Sequence, residues 1–172
     1  MFDNNEEMFP IVDEEGNITG AATRKECHSG SKLLHPVVHL HVFNDKGELY
    51  LQKRPAWKDI QPNKWDTSVG GHIDLGESVE MALKREAQEE LGISDFTFEL
   101  LTHYVFESNR EKELVFCHRT IYNGEISPSN ELDGGRFWSI EEIKNNLGKG
   151  VFTPNFESEY KRLFGNEPDM LL

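Results

Sequence analysis

Gly71-His72-Ile73-Asp74-Leu75-Gly76-Glu77, followed after a seven-residue spacer by Arg85-Glu86-Ala87-Gln88-Glu89-Glu90-Leu91-Gly92-Ile93, is the stretch that decides the fold. Ser78 is a good N-cap, and Gly92 a good stop, for a helix over Val79 to Leu91. On that helix Glu86, Glu89 and Glu90 fall within an arc of about 100°. Leu83, Ala87 and Leu91 form an apolar stripe beside them, so one side packs while the next gathers carboxylates. Like charges at this spacing cost a few tenths of a kcal/mol per pair. Arg85 offsets only part of that. Hard divalent cations are the natural complement, because Mg²⁺ and Mn²⁺ favour carboxylate oxygens. A bound cation reverses the local field, so an acidic pocket can then accept an anion.

Outward from this segment, the pattern is of short strands broken by helices. Met8 to Thr23 reads as a hairpin turning at Asp13-Glu14-Glu15-Gly16-Asn17. Val37 to Phe43 alternates, with Val38, Leu40 and Val42 on one face and His39 and His41 on the other. Asn44 to Gly47 is a turn, Leu49 to Lys53 the partner strand, and Pro55 to Lys64 a loop. Gly70-Gly71 by itself reads as a turn or bulge. Further strands are expected over Phe96 to Phe106, Glu113 to Tyr122 and Gly135 to Trp138, then helices from Ser139 to about Leu147 and from Asn155 to Phe164. This mixture implies an α/β fold with a mixed sheet covered by helices on both faces.

The 172 residues fit one domain, with about the first 35 as an N-terminal extension carrying the hairpin. The net charge of −13 argues against a nucleic-acid polymer as partner, since phosphate backbones need clustered Lys and Arg. No apolar run reaches membrane-spanning length. Met1 to Pro10 lacks the basic start and apolar core of a signal peptide. Two cysteines, Cys27 and Cys117, give no disulfide framework and fit a reducing cytoplasm.

Taken singly, an acidic helix face or a turn glycine has an ordinary structural explanation. Together they match Gly-x5-Glu-x7-Arg-Glu-U-x-Glu-Glu-x-Gly-U, where U is aliphatic, at Gly71, Glu77, Arg85, Glu86, Glu89, Glu90 and Gly92. A chance match at a given start is on the order of 10⁻⁹. The segment resembles the Nudix box, with Ala87 smaller than the usual aliphatic residue at its position. The resemblance implies a Nudix fold, an α/β/α sandwich with a mixed sheet, and a hydrolase that cleaves the diphosphate linkage of a small organic diphosphate with Mg²⁺ or Mn²⁺. It further implies that Glu89 and Glu90 ligate metal, that Glu86 is a ligand or general base, and that the Gly70 carbonyl is a further ligand. Glu77 and Arg85 would form a salt bridge that orients the loop.

A second resemblance runs from about Gly20 to Ile121. His28, Leu34-His35, Gln52-Lys53-Arg54, Lys58, Pro62, Trp65 and Gly71-His72 look like isopentenyl-diphosphate isomerase, a relative of the same fold. That likeness implies a second metal site from His28, His35, His72, Glu111 and Glu113, and contacts from Arg54 and Lys58 to substrate phosphates. The isomerase's proton-transfer Cys is absent: its position holds Gly70, preceded by Val69. The box carboxylates that the isomerase lacks are present. The expected activity is therefore hydrolysis, of a nucleoside diphosphate derivative by class. An isomerase-like enzyme and a non-catalytic nucleotide or sugar-phosphate sensor are the alternatives. His39, His41, His103 and His118 show no ligand spacing and are assigned to the scaffold. Trp57 and Phe106 are candidates for stacking on a base, and a homodimer is left open.

Overall fold

The computed structural model describes residues 5–58 and 61–165, so Asp59 and Ile60 of the expected loop lie outside it. Strands β1 (Met8–Val12) and β2 (Ile18–Thr23) pair as an antiparallel hairpin. The Asp13 carboxylate closes its turn by accepting the amides of Glu15 and Asn17. Thr23 and Glu26 then form a capping box around a short helix, α1 (Arg24–Cys27), which the sequence reading did not foresee.

The centre of the main sheet is β3 (Leu34–Phe43). Along one side it runs parallel to β8 (Lys112–Ile121), in a register that sets His35 against Glu113 and His39 against Cys117. Along the other side it pairs antiparallel with β6 (Val69–His72), setting His39 against Gly70, and with the start of β4 (Leu49–Lys53). The sheet is completed by β5 (Trp65–Asp66) and β9 (Gly135–Trp138) on β4, and by β7 (Glu99–Glu107) on β8. One parallel pair among antiparallel ones makes the sheet mixed.

Helix α2 (Val79–Leu91) covers one face. Its Ala82, Leu83, Ala87 and Leu91 are fully buried against Val38, Leu40 and Val42 of β3. Burying each leucine contributes roughly 1.5–3 kcal/mol. Gly92 ends the helix with φ 68°, in the left-handed region that favours glycine. Helices α3 (Ile140–Asn146) and α4 (Pro154–Phe164) cover the other face, packing Ile143, Phe156, Tyr160 and Phe164 on Phe43, Leu49 and Leu51. The alternation expected along β3 is present.

Two boundaries moved for packing reasons. Phe96, expected to open a strand, is instead buried in the α2 core, and β7 starts at Glu99. Gly70 and Gly71 are not a plain turn but the middle of β6, where the missing side chain of Gly71 leaves room for Glu86 of α2.

Candidate active site

The box segment folds as loop, helix and loop around Arg85. The Arg85 guanidinium donates to both Glu77 oxygens, from Nε at 2.7 Å and from Nη2 at 2.8 Å. The same side chain reaches the His72 carbonyl at 3.0 Å, Glu86 at 2.6 Å and Glu89 at 3.3 Å. These bonds draw Glu77 below the usual carboxylate range. Arg85 therefore ties strand β6, the loop and the helix together, through bidentate geometry that lysine lacks.

Burial raises the pKa of Glu86, and burial together with the neighbouring Glu86 raises that of Glu90 still further. Glu90 is fixed by the Gln52 amide at 2.8 Å and touched by the Gly70 amide at 3.4 Å. Glu89 is more exposed. A Cβ on Gly71 would overlap the Glu86 carboxyl group, so a side chain there would displace that carboxylate. Two buried carboxylates this close, of which Arg85 pairs with Glu86, fit a divalent cation with oxygen ligands.

These acids face a cleft of about 590 Å³, whose walls include Gly70, Glu86, Glu89, Glu90, Arg54 and Lys58. Ser129 and Glu131 of the segment before β9 stand there too. A second hollow of about 270 Å³ shares Gly70, Gln52, Arg54 and Glu90, and runs on to His39, His72, Glu113 and Asn155. Arg54 is aimed by the Gln61 carbonyl at 3.2 Å and by Asp66 at 3.8 Å. Trp57 is exposed beneath Lys58, whose Nζ lies 4.9 Å from the ring centre. Phe106 packs instead beside Val37, Val115 and Cys117.

The structure also brings His28, His35, His72, Glu111 and Glu113 together. Ligand atoms of the three histidines and Glu111 all lie within 4.8 Å of one another. The Nε2 atoms of His28 and His72 are 3.2 Å apart, and His28 Nε2 is 3.4 Å from Glu111. His35 lies 3.7 Å from Glu111 and 3.9 Å from Glu113, too far for good hydrogen bonds. His35 Nε2 and Glu111 Oε1 are buried without a hydrogen-bond partner. Ligands about 2.1 Å from one tetrahedral ion would stand about 3.4 Å apart. Burial keeps His28 and His72 neutral by lowering their pKa, so their nitrogens are available as ligands. Despite burial, the proximity of His35, Glu113, His28 and His72 holds the Glu111 carboxyl down to about 2. Phe9 of β1 stacks on His72 and shields the cluster from outside.

A further group was not foreseen. Glu159 of α4, fully buried, accepts from His39 Nδ1 at 2.8 Å, His41 Nε2 at 2.6 Å and Tyr104 Oη at 2.6 Å. His39 and His41 are thus more than scaffold in general terms: they are the specific partners of one buried charge. Burial alone would lower the pKa of His39, but the Glu159 carboxylate outweighs it and lifts the value to about 9. Gln52, Asp66 and Asn155 were also missed as cleft residues. Strand alternation held a signal for Gln52, because Tyr50 two positions earlier faces α2. Cys27 and Cys117 are buried and unpaired, and neither lines either hollow.

Comparison with known proteins agrees with this geometry. The family model of the NUDIX domain matches residues 33–156. An uncharacterized Nudix hydrolase of Listeria monocytogenes is 33% identical over 157 residues, covering 87% of this chain and 90% of its own. Isopentenyl-diphosphate Delta-isomerase 1 of Photorhabdus laumondii is 27% identical over 175 residues, covering 96% and 99%. A crystal structure of a Deinococcus radiodurans protein superposes with a TM-score of 0.77 at 22% identity, covering 92% of this chain and 99% of that one. With the box, the sandwich and these relatives in agreement, the chain belongs to the Nudix family of pyrophosphohydrolases.

Proposed function

We propose that this enzyme hydrolyses the diphosphate bond of a small organic diphosphate, a nucleoside diphosphate derivative by class. The observation that carries this is the convergence of Glu86, Glu89, Glu90 and Gly70 with Arg54 and Lys58 on one cleft. Glu86, Glu89, Glu90 and the Gly70 carbonyl would hold Mg²⁺ or Mn²⁺. Such an ion, when bound, neutralises diphosphate charge and acidifies the attacking water. Arg54 and Lys58 bind phosphate oxygens, Arg54 as a fork and Lys58 as a point charge. Glu77 and Arg85 keep the loop and the acids in register. Glu86, buried beside Gly71, is placed to accept a proton from the water or to ligate.

His28, His35, His72, Glu111 and Glu113 would hold a second ion. Their imidazole-rich set suits Mn²⁺ or Zn²⁺ better than Mg²⁺. The orphaned His35 nitrogen and Glu111 oxygen support this reading. The same cluster is what favours an isomerase-like reading, which the absence of a cysteine on the cleft opposes. Unpaired, buried cysteines are compatible with a reducing compartment.

The test is phosphate release from a panel of nucleoside diphosphate derivatives, sugar nucleotides and isoprenoid diphosphates with Mg²⁺ or Mn²⁺. Glu90→Gln should lower turnover by about 10²-fold or more. Tight binding without turnover by the wild type would favour the sensor instead.

A further inference from the structure

Gln52 reaches the box carboxylates from the sheet rather than from the helix. Its backbone lies where β4 is paired on both sides, with Asp66 of β5 and Gly135 of β9, so it has no freedom to slide. Its side chain is buried and lines both the cleft and the adjoining hollow. The amide nitrogen Nε2 donates twice, to the Ser68 carbonyl at 3.1 Å and to Glu90 Oε1 at 2.8 Å. Turning the amide over would set its own oxygen against two acceptors, so this orientation is the one that fits. Ser68 is held in turn: its hydroxyl donates to the Tyr50 carbonyl and accepts from the Val42 amide. The Gly70 amide reaches the same Glu90 oxygen at 3.4 Å. Two donors on Oε1 leave Oε2 as the oxygen that Glu90 can offer a cation.

The number of oxygens a carboxylate offers bears on the ion it suits. Mg²⁺ demands near-octahedral geometry with single oxygens held close, whereas Ca²⁺ takes about six to eight oxygens and readily draws both from one carboxylate. We propose that Gln52 is a positioning residue that sets the choice of cation: by occupying Glu90 Oε1 it restricts this glutamate to one-oxygen ligation and so favours Mg²⁺ over Ca²⁺. This rests on the hydrolase reading above. Tyr50, on the same face of β4, fills its place in the α2 core with a ring. Where that face meets the carboxylate, the strand carries a donor instead. The donor is uncharged, so it fixes Glu90 without cancelling the negative charge that draws the ion. Arg85, in contrast, pairs with Glu86 as a full cation.

The test follows the Gly70 backbone amide and the Gln52 side-chain amide by ¹⁵N NMR while Mg²⁺ alone, or Ca²⁺ alone, is titrated into the protein. The Gly70 resonance reports on Glu90 directly, and both ions are poor choices for the imidazole-rich cluster. In the wild type the Gln52 amide protons should stay protected from solvent exchange once Mg²⁺ is bound. In Gln52→Leu, which keeps the bulk and removes the donor, Ca²⁺ should gain affinity about ten-fold relative to Mg²⁺, the lower end of what a changed partner of a metal ligand does. A purely structural loss would weaken both ions alike and leave their ratio where it was. If the ratio is unchanged, or if Mg²⁺ strips the wild-type Gln52 amide of its protection, the proposal is refuted and the hydrolase reading survives. If neither ion moves the Gly70 resonance, the proposal falls as well, and phosphate release from the diphosphate panel decides separately whether the hydrolase reading goes with it. The wild-type exchange measurement decides the matter even where Gln52→Leu does not fold.

Discussion

The ring of Phe9 lies 4.5 Å from the ring of His72 and within 4° of parallel to it. Phe9 is fully buried and also stacks on His35 at 5.8 Å. The N-terminal hairpin is thereby one wall of the histidine cluster, and α1 behind it delivers His28. Phe9→Ala should destabilise the fold by about 3–5 kcal/mol, the range for large-to-small changes at buried aromatic sites. It should also release metal from the histidine site, while the box carboxylates keep theirs. Thermal denaturation together with metal content after dialysis checks both halves. Unchanged retention of a histidine-bound ion would show that the hairpin is not part of the site.

Arg85 joins Glu77, Glu86, Glu89 and the His72 carbonyl through one planar group. Arg85→Lys keeps the charge and loses the fork. It should lower kcat about 10–100-fold, as is typical when a partner that orients metal ligands is changed. Steady-state kinetics at saturating Mg²⁺ would read this, and a loss confined to KM would contradict it.

Gly71→Ala separates structure from activity. The added methyl would overlap the Glu86 carboxyl group, which is the far end of a flexible side chain. The helix should survive and the carboxylate should be pushed aside. The expected result is a modest change in Tm with a fall in kcat of about 10²-fold, comparable to losing the side chain's role. Equal losses of stability and activity would place the clash in the backbone instead.

The His39–Glu159 pair gives stability a definite pH dependence. Glu159 raises His39 from 6.5 to about 9, so this contribution is complete below about pH 6.5 and lost as pH rises through about 9. Glu159 is itself depressed by its histidine partners despite burial, so its contribution is present above about pH 4.5 and lost only in acid. Tyr104 and Cys117, which also touch this carboxylate, are pushed upward by burial first and stay neutral across the window. Wild-type Tm should fall between pH 7 and pH 9.5 by the equivalent of roughly 1–3 kcal/mol. Glu159→Gln, though less stable at neutral pH, should show a flatter profile there. Parallel slopes in the two proteins would mean that other groups set the alkaline limit.

Much of this architecture can be read before any coordinates. The spacing of Glu86, Glu89 and Glu90 on one helix face, the Ser78 cap and the Gly92 stop are local, and local periodicity reports them well. The Glu159 network is different. Glu159 is 120 residues from His39, and nothing near it in sequence distinguishes it from the exposed acids that dominate this chain. Only packing α4 against the odd-numbered face of β3 makes the pairing visible. Strand β6 was hidden for another reason: Gly70-Gly71 carries no alternation signal, and glycine pairs usually mark turns. Gln52 needed both pieces of knowledge, the parity of β4 and the position of Glu90.

The parallel register of β3 and β8 has a consequence for how this protein can change over evolutionary time. His35 opposite Glu113 and His39 opposite Cys117 are set by the same ladder that aligns the apolar rows. A slip of one residue would invert every side chain at once, so neither strand tolerates insertions. Residues 54–58 and 61–64, and the segment from Asn123 to Gly134, carry no such ladder, yet Arg54, Pro55, Lys58, Ser129 and Glu131 border the cleft. Inherited variation that survives selection should therefore collect in those borders, letting descendants exchange the group carried on the diphosphate while the chemistry at its centre is passed on intact.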